Sequence, residues 1–369
     1  MSNFNILKKF SSETENIVNE IDDFLTKLTT QINLNIKWDD KNFSEIEIKK
    51  SFLRGVLREH HLTHRLTKCI LHSLKDTNIK KDFKWITKFY PMIHLSNDNL
   101  ESEEKLHYDS DIGSSMHTCW VPITDYKYSG LNIFKYENFL INFLKKILTK
   151  SIIFNKFTFS PLLKKGNFFI WSGNRLHKGN LNTSNQITCA FQMKFLKHPY
   201  LFESSHNIQN KEFENFKNNN INYLEIYEDY IKLLKLINQH SESIKSIETI
   251  SIKDFVTNLK KNFSDKNQYL SFSLSVLSQR LRKLNVNNFD TINQKKFHLY
   301  DLASIFMGSE NLISLKRVLM DNKRLYKVFN DSKLLSELDF LNLCPKDTIQ
   351  WNTILDAKIK KVDLINNEL

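Results

Sequence analysis

The first residues whose types and spacing could do chemistry are a histidine and an aspartate two apart, His107 and Asp109 in the segment EKLHYDSD. On an extended backbone, side chains two apart leave the same face of the strand, so the pair can chelate one ion. A third donor has to come from elsewhere in the chain. His177 follows the run KKGNFFIWSGNRLHKGN, which reads as turn, buried strand, turn and short strand. It lies 68 residues beyond Asp109, enough chain for intervening strands to return to the same pocket. Two imidazoles and one carboxylate on one face of a metal leave its other positions open, an arrangement that suits Fe(II) and that zinc or manganese also accept. Asp111 is an alternative carboxylate, but His-x-Asp is the tighter spacing.

These donors need rigid elements to aim them, and the chain shows three zones. Residues 5–80 carry apolar residues at helical spacing, as in Ile17, Ile21, Phe24, Leu25 and Leu28, and again in Phe52, Val56, Leu57 and Leu66. From Phe83 to Phe195 come short runs rich in aromatic and β-branched residues, among them FKWITKFY, HTCWVPIT, LNIFKY, FTFSPLL, NFFIW and ITCAFQMKF, separated by turn residues. One helix is expected within them, near Asn138 to Thr149. At least seven short strands suit a sandwich or barrel of the jelly-roll kind. After His198 and Pro199 helical periodicity returns, with Leu233, Leu234, Leu236 and Ile237 and then Leu274, Val276, Leu277, Leu281 and Leu284. The expected fold class is α+β: a double-stranded β-helix (cupin-like jelly roll) core at 83–198, preceded by a helical segment at 1–82 that packs on it. A helical domain of unassigned role follows at 199–369.

Other residues carry weaker signals. The run EHHLTHR puts His60 and His64 at i, i+4, a zinc-capable spacing, but no third ligand is visible and structural histidines are the simpler reading. His94 and His117 lie on strand runs, as core residues or as groups that orient a ligand. Trp120 and Trp171 are expected in the core, whereas Tyr126 and Tyr128 flank a turn and are the candidates for substrate contact.

From about Tyr90 to Phe195, a third of the chain, the sequence resembles the Fe(II)/2-oxoglutarate-dependent dioxygenases, in particular the branch related to phytanoyl-CoA dioxygenases and to oxygenases of carbohydrate-biosynthesis clusters. The resemblance is carried by HYD at 107–109, CWVPITD at 119–125 and KKGNFFIWSGNRLHKGNLNTSN at 164–185. It implies that His107, Asp109 and His177 hold Fe(II), with 2-oxoglutarate and O2 as cosubstrates and hydroxylation of a small-molecule or carbohydrate-type substrate as the outcome. The family places an arginine about eleven residues beyond the distal histidine, where its planar fork grips the far carboxylate of 2-oxoglutarate. Here that position is Thr188. Lys135 on an earlier strand and Lys194 on the same strand as Thr188 are the substitute cations, with Lys135 preferred because Lys194 sits at the strand's far end. Asn182, in the segment after the distal histidine, joins Thr188 and the two lysines as a candidate cofactor contact.

Composition bounds the rest. The formal net charge of +12 comes without a nucleic-acid-binding motif, so no such partner is expected. Cys69, Cys119, Cys189 and Cys344 form no CxxC pair and read as reduced thiols. No apolar run reaches membrane-span length and the first residues lack the apolar core of a secretory signal, so a cytoplasmic location is expected. Two rivals stay open: a metal-dependent isomerase or lyase on the same barrel, and a non-catalytic scaffold that works through its helical domain.

Overall fold

The computed structural model describes residues 6–9, 11–34, 43–96, 107, 109, 116–125, 131–134, 158–159, 165–173, 175–179, 182, 185–197, 205–208, 221–243, 249–263, 267–284 and 291–307. The chain divides into two compact units, Met1–Pro199 with Ser205–Tyr223, and Tyr200–Ser204 with Leu224–Leu369.

The first unit opens with strand β1 (Ile6–Lys9) and helices α1 (Ser12–Gln31), α2 (Phe43–Glu59), α3 (His61–Ser73) and α4 (Asn78–Asp82). Ser11 starts α1 by accepting the Thr14 N–H at 3.3 Å, and Glu13 and Glu15 lie in the first turn, where the helix dipole favours negative charge. Ile17, Val18, Ile21, Leu25 and Leu28 recur at helical spacing and are all buried, as are Phe52, Val56, Leu57 and Leu66. EHHLTHR is not one helix. His60 is extended (φ −70°, ψ 140°), and its Nδ1 accepts the Leu62 N–H at 3.3 Å, so it caps α3.

Nine further strands follow: β2 (Trp85–Thr87), β3 (Tyr90–His94), β4 (Met116–Pro122), β5 (Leu131–Phe134), β6 (Thr158–Phe159), β7 (Asn167–Ser172), β8 (His177–Gly179), β9 (Thr188–Leu196) and β10 (Ser205–Asn207). Among the described residues they form two antiparallel sheets. The larger has the order β1-β7-β4-β9-β2-β10, with β3 also paired to β9; the smaller is β6-β5-β8. The larger sheet draws strands from outside residues 83–198. β1 and β10 are only four and three residues long, too short for a period-two pattern to stand out in sequence.

The sheets meet face to face. Trp120 of β4, Phe169 and Trp171 of β7 and Ala190 of β9 pack with Leu131 and Ile133 of β5, and Met92 of β3 and Phe159 of β6 lie against this cluster. Burial of side chains this large contributes about 1.5–3 kcal/mol each. The other face of β9 is covered as well: Phe191 meets Phe89 with ring centroids 5.4 Å apart, and Arg54 of α2 donates to the Ile93 carbonyl at 3.5 Å. One face of β9 is apolar throughout, with Cys189, Phe191, Met193 and Phe195, while the other carries Thr188, Ala190, Gln192 and Lys194, and nearly all of both faces is buried.

Two glycines shape the turns around β7. Gly166 enters the strand at φ +93°, a conformation side chains resist. At Gly173, just after the strand, an added Cβ would lie 2.7 Å from Met116 Cε and 3.2 Å from the Met116 carbonyl oxygen.

The second unit contains helices α5 (from Tyr223, the last residue of the first unit, to Ser243), α6 (Thr249–Phe263), α7 (Asn267–Leu284) and α8 (Thr291–Met307). Ser271 and Ser304 tie α7 to α8, each hydroxyl donating to the other's carbonyl at 2.7 and 2.8 Å. Among the described residues no helix is long and apolar enough to cross a membrane.

Candidate metal centre

Backbone pairing brings the three donors together. His107 and His177 are direct cross-strand partners, each N–H donating to the other's carbonyl at 3.0 Å, which places His107 beside β8 at the edge of the smaller sheet. Two residues later the Asp109 N–H donates to Gly173 O at 3.1 Å, and the Gly173 N–H donates to Met116 O at 2.8 Å. The HYD segment therefore crosses from the smaller sheet to the larger one, and the missing Cβ of Gly173 lets Met116 come close beneath it. One ligand atom from each of His107, Asp109 and His177 lies within 4.8 Å of the others. Among the described residues this is the one group of three or more His, Cys, Asp or Glu side chains so arranged.

Ring orientation fits a metal. His177 Nδ1 lies 2.9 Å from the Arg175 carbonyl, which can only accept, so Nδ1 keeps the ring proton and donates it in a hydrogen bond, leaving Nε2 as the ligand atom, 3.6 Å from Asp109 Oδ2. The His107 and His177 rings have centroids 4.4 Å apart, and Trp171 meets His177 edge-on at 5.3 Å, forming an apolar wall beside the donors.

Asp109 is held at both oxygens. Lys194 Nζ lies 2.6 Å from Oδ1, and the Thr118 hydroxyl donates to Oδ2 in a short hydrogen bond while accepting from Lys194 Nζ at 3.1 Å. Burial alone would raise the Asp109 pKa. The charges of Lys194 and His177 and the hydrogen bonds from Lys194 and Thr118 outweigh it and hold the carboxyl well below its usual range. His177 is pushed below its ordinary value, first by burial and also by His107 and Lys194, against the opposing pull of Asp109. An ionised carboxylate and a neutral imidazole are the forms that bind metal.

The residues expected to contact a cofactor divide. Lys194 stands at the donors, and its place at the far end of β9, which had counted against it, is what brings it there: the antiparallel register sets Lys194 opposite Thr118 at the start of β4. Thr188 opens the same strand six residues earlier, about 20 Å away at the usual strand rise, opposite His94. Its hydroxyl is buried without a hydrogen-bond partner among the described residues. The Asn182 amide donates to the carbonyls of His94 and Gln186 at 3.1 and 2.8 Å and so fastens the loop before β9. Lys135, Tyr126, Tyr128 and Asp111 lie outside the described residues. His117 packs edge-on against Phe83 at 4.6 Å, and Trp120 and Trp171 are core. Nothing in the sequence singles out Thr118 or the Arg175 carbonyl. Alternation with Trp120 aims Thr118 inward, but only the fold brings it to Asp109.

No protein-family model matches the chain, and no curated protein matches it. Solved structures that resemble it include a non-heme monooxygenase, the ThoJ–Ni complex, at 10% identity and a TM-score of 0.33 over 56% of this chain and 76% of that one. A second is the non-heme alpha ketoglutarate dependent epimerase SnoN from nogalamycin biosynthesis, at 8% identity and a TM-score of 0.31, covering 60% of this chain and 87% of the other. The carbocyclase SnoK, described in the same terms, follows at 10% identity and a TM-score of 0.25 over 42% and 66%. These likenesses are too distant to carry a functional argument.

Proposed function

We propose that this protein is a non-haem Fe(II)- and 2-oxoglutarate-dependent oxygenase, built on a double-stranded β-helix core and acting on a small-molecule or carbohydrate-type substrate. The observation that carries this reading is the convergence of His107, Asp109 and His177 within 4.8 Å, with the His177 tautomer fixed by Arg175 O and the Asp109 charge fixed by Lys194 and Thr118. Two imidazoles and one carboxylate would hold the ion and leave part of its coordination open to other ligands. When bound there, Fe(II) supplies the oxygen activation that no side chain can.

The chain's own residues bind and exclude. His177 and His107 supply neutral nitrogen, Asp109 supplies the charge that offsets the ion, and Trp171 with the apolar cluster behind it keeps water from that side. Cys69, Cys119 and Cys189 are free thiols, consistent with a reducing, cytoplasmic setting. The absence of charge at Thr188 favours a second reading, a metal-dependent isomerase or lyase that needs no 2-oxoglutarate. Succinate release from 2-oxoglutarate, Fe(II) and O2 separates the two: the oxygenase produces succinate and the isomerase does not.

A further inference from the structure

We propose that the first unit carries a second small-molecule site, remote from the metal centre, that takes a compact ammonium-bearing polyol of the amino-sugar kind. The site is a cavity of about 450 Å³ between the C-terminal half of α1 and two segments at the start of β9: Thr124–Asp125, just past β4, and Gln186–Ile187, just before β9. That volume lies in the range of small-molecule pockets. Lys194, which marks the metal centre, stands at the opposite end of β9. Thr188 is about 20 Å from it at the usual strand rise, so the cavity is not an arm of that centre. The proposal does not depend on the metal-binding reading of the triad.

Backbone contacts fix the walls. Thr124 is tied to Cys189 twice, its N–H donating to the Cys189 carbonyl at 3.1 Å and its hydroxyl accepting the Cys189 N–H at 2.8 Å. α1 ends in a turn through Asn33 at φ 50°, and the Leu34 N–H donates back to Thr29 O at 3.0 Å, which brings Leu34 to the cavity. Leu25 and Leu34 are buried, whereas Thr26, Thr30 and Asp125 are exposed, so an apolar floor lies under a polar mouth.

The polar lining selects the ligand, because it accepts more than it donates. The Thr29 and Thr30 hydroxyls both donate to the Thr26 carbonyl at 2.9 Å, which commits their protons and leaves their oxygens to accept. Asp22 and Asp125 only accept when ionised. Lys165 Nζ pairs with Asp22 Oδ2 at 2.5 Å and offsets its charge. The negative potential therefore comes from Asp125 and from the carbonyl end of α1, whose last turn holds no basic residue. Among the described residues no lysine or arginine lines the cavity. A fitting ligand brings several hydroxyl donors, one positive charge and an apolar edge for Leu25, Leu34 and Ile187. A carboxylate or phosphate would meet like charge at Asp125 and at the helix end.

Calorimetric titration of the full-length, metal-free chain with glucosamine, glucose and putrescine separates charge from hydroxyl recognition. Under mildly acidic conditions, where its amine is protonated, glucosamine is expected to bind. Glucose, which lacks the charge, and putrescine, which lacks the hydroxyls, should each bind at least about tenfold more weakly, in line with charge-assisted hydrogen bonds. Asp125→Asn should weaken glucosamine about tenfold and leave glucose unchanged. Thr26→Arg sets a cation and a long side chain at the mouth and should abolish glucosamine binding. Both positions are exposed, and an unchanged Mn(II) affinity in the variants checks that the fold is intact. The proposal is overturned if glucosamine does not bind, if glucose or putrescine binds as tightly, or if either variant with intact Mn(II) affinity binds glucosamine like the parent. It is also overturned if a folded His177→Ala loses glucosamine binding, which would move the ligand to the metal centre.

Discussion

Two regions of the first unit gather histidines around a buried carboxylate, and only one of them can hold a metal. At His107, Asp109 and His177, strand pairing points three ligand atoms at one another. At Glu59, His60 and His64 the carboxylate pairs with Lys88 at 3.0 and 2.8 Å, much as Asp109 pairs with Lys194, but among the described residues only the His107, Asp109 and His177 donors converge on one point. There His60 spends its Nδ1 on the Leu62 N–H and stacks on Phe24 with centroids 4.2 Å apart. The difference is one of convergence: a strand repeats direction every second residue, whereas the break between α2 and α3 turns the histidine ring to capping.

The sharpest way to test this contrast is to remove one donor from each region. Asp109→Ala or His177→Ala is expected to lower Fe(II) affinity by at least about a thousandfold, in line with losing one of three ligands and leaving the site's polar groups unmatched. Glu59→Gln should leave Fe(II) affinity unchanged. Anaerobic calorimetry reads both, and equal affinities for all three proteins would dissolve the distinction.

A second, smaller effect concerns acid. Burial, followed by the charges of His61 and His64, depresses His60 to about 3. Burial also depresses His64, to about 4, against the opposing pull of Glu59. Both are neutral when folded, while the unfolded chain takes up their protons near pH 6.5. Their contribution is therefore fully present above about pH 6.5 and is lost as pH falls towards 4 and 3. The urea midpoint should drop between pH 7 and 4.5, and His60→Asn, which keeps a capping oxygen but no titrating ring, should flatten that drop. An unchanged profile in the variant would show that His60 does not titrate on unfolding.

Much of the candidate metal centre is legible in the sequence because its signals are local. His107 and Asp109 share a strand face by spacing alone, and the run before His177 spells a turn and a buried strand. What was not legible depends on register. Nothing near Lys194 in sequence links it to Asp109; that contact exists because β4 and β9 pair with Thr118 opposite Lys194. The helix break at His60 was hidden for a related reason, since a capping histidine and an internal one look alike in EHHLTHR. β1 and β10 gave no period to read because each is barely two alternations long.

Smaller again is the effect of filling the gap at Gly173. Gly173→Ala pushes a methyl group against Met116, whose side chain can yield but whose carbonyl cannot, and should cost about 1–3 kcal/mol of stability. Because Asp109 N–H hangs on Gly173 O, Fe(II) affinity should fall with it. Tm and Fe(II) titration together check this, and a variant as stable and as tight as the parent would show that the turn is not under constraint.

Succinate formation tests the central claim most directly. Full-length protein mixed with Fe(II), O2 and 2-oxoglutarate should release succinate, slowly without its substrate and faster with it, and His177→Ala should release none. A parent protein that binds Fe(II) yet yields no more succinate than His177→Ala, with candidate substrates present, would contradict the oxygenase reading.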